Sequence, residues 1–173
     1  TEVDPSCWRR IPGTDFTVMQ IVEAGDVPNM VNYLPKVAGT TETTKCVCVS
    51  KSSSYEDEIV SGKLIEFKHD HITKNGSYPG FIYIRGESCY QGLCMSTLVP
   101  KEKCPSILGF HLYGTSEKDE TNIGMAGSVT QSEVMLAIED FPARYRVLSS
   151  GVMPESSCGK YYGFECPIHP KHP

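Results

Sequence analysis

Apolar residues along this chain come in short runs, broken by Gly, Pro, Ser, Thr and Asn and rich in β-branched and aromatic side chains. That pattern is the signature of many short strands. The runs predict strands over residues 16–22, 45–49, 59–67, 81–85, 107–113 and 145–148, with loops over 51–54, 73–77 and 115–127. One segment has another period. Thr130 followed by Glu133 reads as a capping box, and Val134, Ile138 and Phe141 then share one helical face, so a short helix is expected near 131–139. No other stretch holds a 3.6-residue period for three turns, which excludes a helical bundle. The class expected is all-β with one short helix.

Two stretches echo each other. Tyr78-Pro79 leads through Tyr83 to Glu87-Ser88-Cys89 and on to Gly92 and Cys94; Phe141-Pro142 leads through Tyr145 to Glu155-Ser156-Ser157-Cys158 and on to Gly163 and Cys166. A repeat of that kind favours tandem small β modules, a first over 1–93 and a second over 94–173 that carries the helix. The alternative is one domain over 1–173.

Cysteine usage sharpens this picture. The eight cysteines, Cys7, Cys46, Cys48, Cys89, Cys94, Cys104, Cys158 and Cys166, are even in number and spread along the chain. Their spacing lacks the paired knuckles of a zinc site, so they read as disulfides, and the pairing is left open. Modules too small to bury an adequate core depend on such bridges. Bridges persist where the environment is oxidising, which points to secretion. Asn75-Gly76-Ser77 is an acceptor sequon for glycosylation in keeping with that. The chain opens on Thr1-Glu2-Val3-Asp4 and reads as a mature, processed form without a membrane span.

A net charge of -5 with Lys and Arg scattered speaks against nucleic acid as a partner. Chemistry is sparse. His69-Asp70-His71 would put two imidazoles on one strand face, but two ligands do not make a metal site, and a solvated strand edge accounts for them. There is no G-x-S-x-G, phosphate loop, H-E-x-x-H or catalytic-cysteine signature, and cysteines held in bridges cannot act as nucleophiles. Neither enzymatic activity nor a cofactor is expected. The residues best suited to a protein-binding surface are Tyr78, Tyr83, Arg85, Tyr145 and Arg146, because Tyr and Arg supply most interface hot spots.

The run Lys74-Asn75-Gly76-Ser77-Tyr78-Pro79, then Tyr83-Ile84-Arg85, Cys89, Gly92-Leu93-Cys94 and Cys104, resembles the core of a complement-control (sushi) module. It is most similar to the enlarged modules of immunomodulatory proteins secreted by parasitic nematodes. That resemblance implies an extracellular protein that binds and blocks a host cytokine or its receptor. A second resemblance is to salivary lipocalins of arthropods, through Trp8 before a first strand and the cysteine-bearing strand Lys45-Cys46-Val47-Cys48-Val49. It implies instead a single β-barrel that carries a small apolar or amine ligand.

Overall fold

The computed structural model describes residues 8–19, 30–51, 56–73, 76–90, 92–101, 106–115 and 122–141. Six strands form a closed antiparallel barrel: β3 (Lys45–Lys51), β4 (Asp57–Thr73), β5 (Gly76–Arg85), β6 (Thr97–Pro100), β7 (Gly109–Gly114) and β8 (Ile123–Gly127). Their order around the barrel is β3-β4-β5-β8-β7-β6, and β6 closes the ring by pairing Leu98 with Cys48 and Pro100 with Cys46. Before the barrel come two short strands, β1 (Trp8–Arg10) and β2 (Thr17–Met19), paired as a ribbon, and a 3-10 turn over Val31–Tyr33. After it comes helix α1 (Gln131–Glu139).

Alternation along the strands decides what fills the barrel. Cys46, Cys48, Leu64, Phe81, Tyr83, Leu98, Leu108 and Ala126 point inward and pack as one cluster. A second cluster lies outside the barrel wall. There Ile11, Phe16, Tyr33, Leu34, Val47, Val99, Ile107, Val129 and Ala137 bring ribbon, 3-10 turn and helix onto the sheet.

The helix starts as its sequence predicts. The Glu133 amide donates to Thr130 Oγ1, and the Thr130 amide donates to Glu133 Oε2 at 2.7 Å, satisfying two donors that the first turn leaves open. Gln131 Nε2 donates to the Leu34 carbonyl at 2.9 Å, and Arg9 pairs with Asp140 at 2.6 Å. Ala137 is buried on the inner face, and Phe141, just past the helix end, is buried too.

The all-β class and the barrel alternative hold, whereas tandem sushi-like modules do not. Strands from both sides of the 93/94 boundary close the same barrel: β5 pairs with β8 and β3 with β6, so the two halves share one continuous ring of strands. Strand β8 falls inside the predicted loop 115–127. Its sequence, Ile-Gly-Met-Ala-Gly, reads as a breaker, yet its glycines serve close approach. A Cβ on Gly124 would sit 2.7 Å from the Tyr83 ring, and one on Gly109 of the neighbouring strand 2.4 Å from the Gly127 carbonyl oxygen. Strand β6 was also unforeseen, being four residues long and ending in proline.

The disulfide framework is corrected as well. Cys46, Cys48, Cys89 and Cys94 are free thiols, the first three buried and the last exposed. Cys7, Cys104, Cys158, Cys166, Asn75, Tyr145, Arg146 and the predicted strand over 145–148 lie outside the described residues.

Candidate active site

Burial separates the four described thiols. Enclosure in the barrel pushes Cys46 up to about 12, with the neighbouring Cys48 adding to the rise. Burial raises Cys48 and Cys89 too. A thiol must lose its proton to become a nucleophile, so these three are chemically quiet. Cys94 is the exposed one among the four.

Cys94 sits where the chain turns into β6. The Ser96 amide donates to the Leu93 carbonyl at 3.0 Å, closing a four-residue turn over Leu93–Ser96. Its third residue, Met95, has φ of 68°, a left-handed conformation that a side chain other than glycine adopts only when its surroundings impose it. The restraint is visible on both sides. Leu93, 1 % exposed, packs into the interior cluster, and strand β7 holds the far side: Met95 N donates to the His111 carbonyl at 2.7 Å and His111 N donates to the Ser96 carbonyl at 2.8 Å. The thiol that this turn displays donates to the Leu112 carbonyl at 3.3 Å.

The residue gripping the turn, His111, carries the one imidazole of the barrel core. It is 3 % exposed, and its Nδ1 lies 2.8 Å from the Tyr83 hydroxyl. Burial, with the nearby Arg85 charge, lowers His111 to about 4, so the ring is neutral at physiological pH. Burial also pushes the Tyr83 phenol up, which keeps it protonated. Nε2 of His111 makes no hydrogen bond among the described residues.

Ahead of the turn, a polar cluster pins the loop that leaves β5. Arg85, 1 % exposed, donates from Nη1 to the Ser88 carbonyl at 2.7 Å and from Nη2 to Glu58 Oε2 at 3.1 Å. The same carboxylate oxygen accepts from Tyr90 Oη and Ser50 Oγ, each at 2.9 Å. Desolvation works against the Glu58 charge, but the hydrogen bonds from Tyr90 and Ser50 and the Arg85 charge hold its carboxyl below the usual range.

Several residues expected at a binding surface are interior. Tyr83 and Arg85 are buried because alternation along β5 turns those positions into the barrel, and Tyr78, at the opposite parity, is buried as well. His69 and His71 are not a ligand pair. A register shift in the β4–β5 pairing between Lys68 and His71 breaks the alternation; His69 packs edge-on against Phe67 with ring centroids 5.0 Å apart, and His71 Nε2 bonds the Tyr113 hydroxyl. Among the described residues no three His, Cys, Asp or Glu side chains gather as a metal site, and no helix is long and apolar enough to cross a membrane.

The site that sequence reading missed left two signals. Gly92-Leu93-Cys94 places a thiol just past a glycine with φ of 103° between two strands, and His111 is a lone polar residue at an inward position of an apolar strand. Assigning every cysteine to a bridge hid the thiol. The histidine passes for part of an ordinary strand.

No family model matches the chain, and no curated protein matches it. Solved structures do. An inactive cysteine-to-alanine mutant of the murine norovirus NS6 protease, carrying a C-terminal extension, superposes with a TM-score of 0.54 at 14% identity, covering 72% of this chain and 71% of that one. Another structure of the NS6 protease gives 0.45 at 14% identity, over 55% of this chain and 53% of that one. The active form of the Rv3671c protease from M. tuberculosis gives 0.46 at 14% identity, over 70% and 53%. The chain thus spans about half the length of those last two chains, and at such scores they are no guide to architecture. The first likeness is one of fold, shared with that norovirus protease. It overturns the expectation of a non-enzymatic sushi-type immunomodulator or lipocalin-type carrier, since the fold the chain shares is one found in a protease.

Proposed function

We propose that this protein is a cysteine protease with Cys94 as its nucleophile. The observation that carries this reading is the display of Cys94 on a strained turn at the barrel end, while Cys46, Cys48 and Cys89 are sequestered. A strained turn that pushes one side chain outward is a recurring way to present a nucleophile. The mutant NS6 protease adds support, because there a cysteine-to-alanine change accompanies inactivity in a protein of the same fold.

In this reading the Cys94 thiolate attacks the scissile carbonyl carbon, the C–N bond breaks, and the amine leaves with a proton. Water then hydrolyses the thioester and frees the thiol. Within the described residues the thiol's hydrogen-bond partner is the Leu112 carbonyl, and the Cys94 proton ends on the leaving amine. His111 has another task. A neutral ring fixed through Nδ1 beside the nucleophile turn suits an uncharged hydrogen-bonding group, such as a carboxamide on the substrate side chain next to the scissile bond, better than a carboxylate.

Incubation with a proteome-derived peptide library, with new termini mapped by mass spectrometry, tests the reading. The expected result is cleavage that Cys94→Ala abolishes, with carboxamide side chains enriched before the cut. Cleavage that survives Cys94→Ala, or no cleavage together with a Cys94 no more reactive than a cysteine in a short peptide, would overturn it.

A further inference from the structure

Resting on the protease reading, we propose that Glu58, Arg85 and Tyr90 form a clamp that positions the Cys94 turn, each as a positioning residue that stays out of the chemistry itself. The connection is continuous. Glu58 Oε2 accepts from Tyr90 Oη at 2.9 Å; the Tyr90 carbonyl accepts from the Leu93 amide at 3.2 Å; the Leu93 carbonyl accepts from the Ser96 amide at 3.0 Å, and Cys94 lies between those last two residues. Tyr90 Oη lies also 3.1 Å from the Lys51 carbonyl, which ties the loop to the end of β3.

Arg85 braces the same loop one step earlier. Its guanidinium holds the Ser88 carbonyl at 2.7 Å and lies over the Tyr90 ring, 5.5 Å from its centroid. Glu58 in turn is fixed by Ser50 of the neighbouring strand, its partner in the β3–β4 register. Strands β3, β4 and β5 therefore all contribute to where residues 88–90 and Leu93 lie.

A cluster serving stability alone has little reason to take this form. Burying a guanidinium is costly even when it is paired, and apolar residues of similar volume fill such sites as well or better. Here the cost is not fully offset, because Nε of Arg85 is buried without a hydrogen-bond partner. What the polar cluster supplies is direction: four hydrogen bonds and a stacking contact that fix a loop ending at the nucleophile. Attack on a carbonyl falls off steeply when the nucleophile is misplaced by about an ångström, so fixing this loop acts on kcat.

Tyr90→Phe and Glu58→Gln test the clamp with little change in volume, and Arg85→Lys keeps the charge without the fork. Three quantities are read on the whole protein: amide hydrogen exchange of 86–96, the rate at which iodoacetamide alkylates Cys94, and kcat and KM on a peptide recovered from the library. For Tyr90→Phe we expect exchange in 86–96 to rise about tenfold with β3, β4 and β5 unchanged, and kcat to fall about tenfold with KM within about twofold. Wild-type exchange in that loop for both Tyr90→Phe and Glu58→Gln would overturn the clamp, and so would a rise shared by the whole barrel. Failure of the protease reading shows elsewhere, in an activity that Cys94→Ala leaves intact.

Discussion

The Tyr83 hydroxyl lies 2.8 Å from Nδ1 of His111, and the two side chains are 0 % and 3 % exposed. That bond fixes the imidazole whose own backbone grips the Cys94 turn, so the barrel core and that turn meet in one residue.

Replacing Tyr83 with Phe removes one buried hydroxyl and leaves Nδ1 of His111 without this partner. A loss of about 1 to 3 kcal/mol in urea unfolding is expected. The library assay is expected to show weaker discrimination between carboxamide and other side chains, because the ring is no longer held. Unchanged stability and unchanged selectivity would mean that the bond does neither job.

The pH dependence follows from His111. Its folded value, about 4, lies below the ordinary 6.5, so between those values the unfolded chain binds a proton that the folded barrel excludes. Stability therefore rises with pH across the window from about 4 to 6.5 and gains nothing more from this group above it. The full contribution is on the order of 3 kcal/mol. Urea midpoints at pH 5 and pH 7.5 check this, and His111→Gln is expected to shrink the difference between them.

Met95 holds φ of 68° at a cost that glycine would not incur. Met95→Gly is expected to be neutral or stabilising by up to about 1 kcal/mol, and Met95→Ile destabilising by more than 1, since β-branching crowds the left-handed region. Thermal unfolding of the pair reads the difference. Equal effects from glycine and isoleucine would show that the turn relaxes around its third residue.

Brief alkylation of the native protein followed by peptide mass spectrometry is expected to label Cys94 and spare Cys46, Cys48 and Cys89, which become labelled only in urea. Early labelling of Cys46 would mean that the barrel opens locally at the β3–β6 seam.

Much of the fold was legible in periodicity, because alternation and capping are local. Thr130 and Glu133 are three residues apart, and the helix they announce is there. Residues 45–49, 59–67 and 81–85 lie within β3, β4 and β5. Strand β8 was hidden since its glycines are dictated by Tyr83 at Gly124 and by Leu112 and Phe16 at Gly127, partners that no local window contains. The site was hidden for a related reason. An even cysteine count is equally compatible with bridges and with buried thiols, and only the closing of the barrel sorts three inward from one outward. Arg85 and Tyr83 are surface recognition residues by type, but strand parity on a closed sheet sends both into the interior.

The two backbone bonds between the Met95–Ser96 segment and His111 join the turn to the barrel seam at β6 and β7. Cys94 is therefore carried by the barrel strands that hold its turn. Its placement lasts as long as the ring of strands is closed, so on the protease reading heating is expected to remove activity and barrel structure in one step, with no inactive but folded state between them.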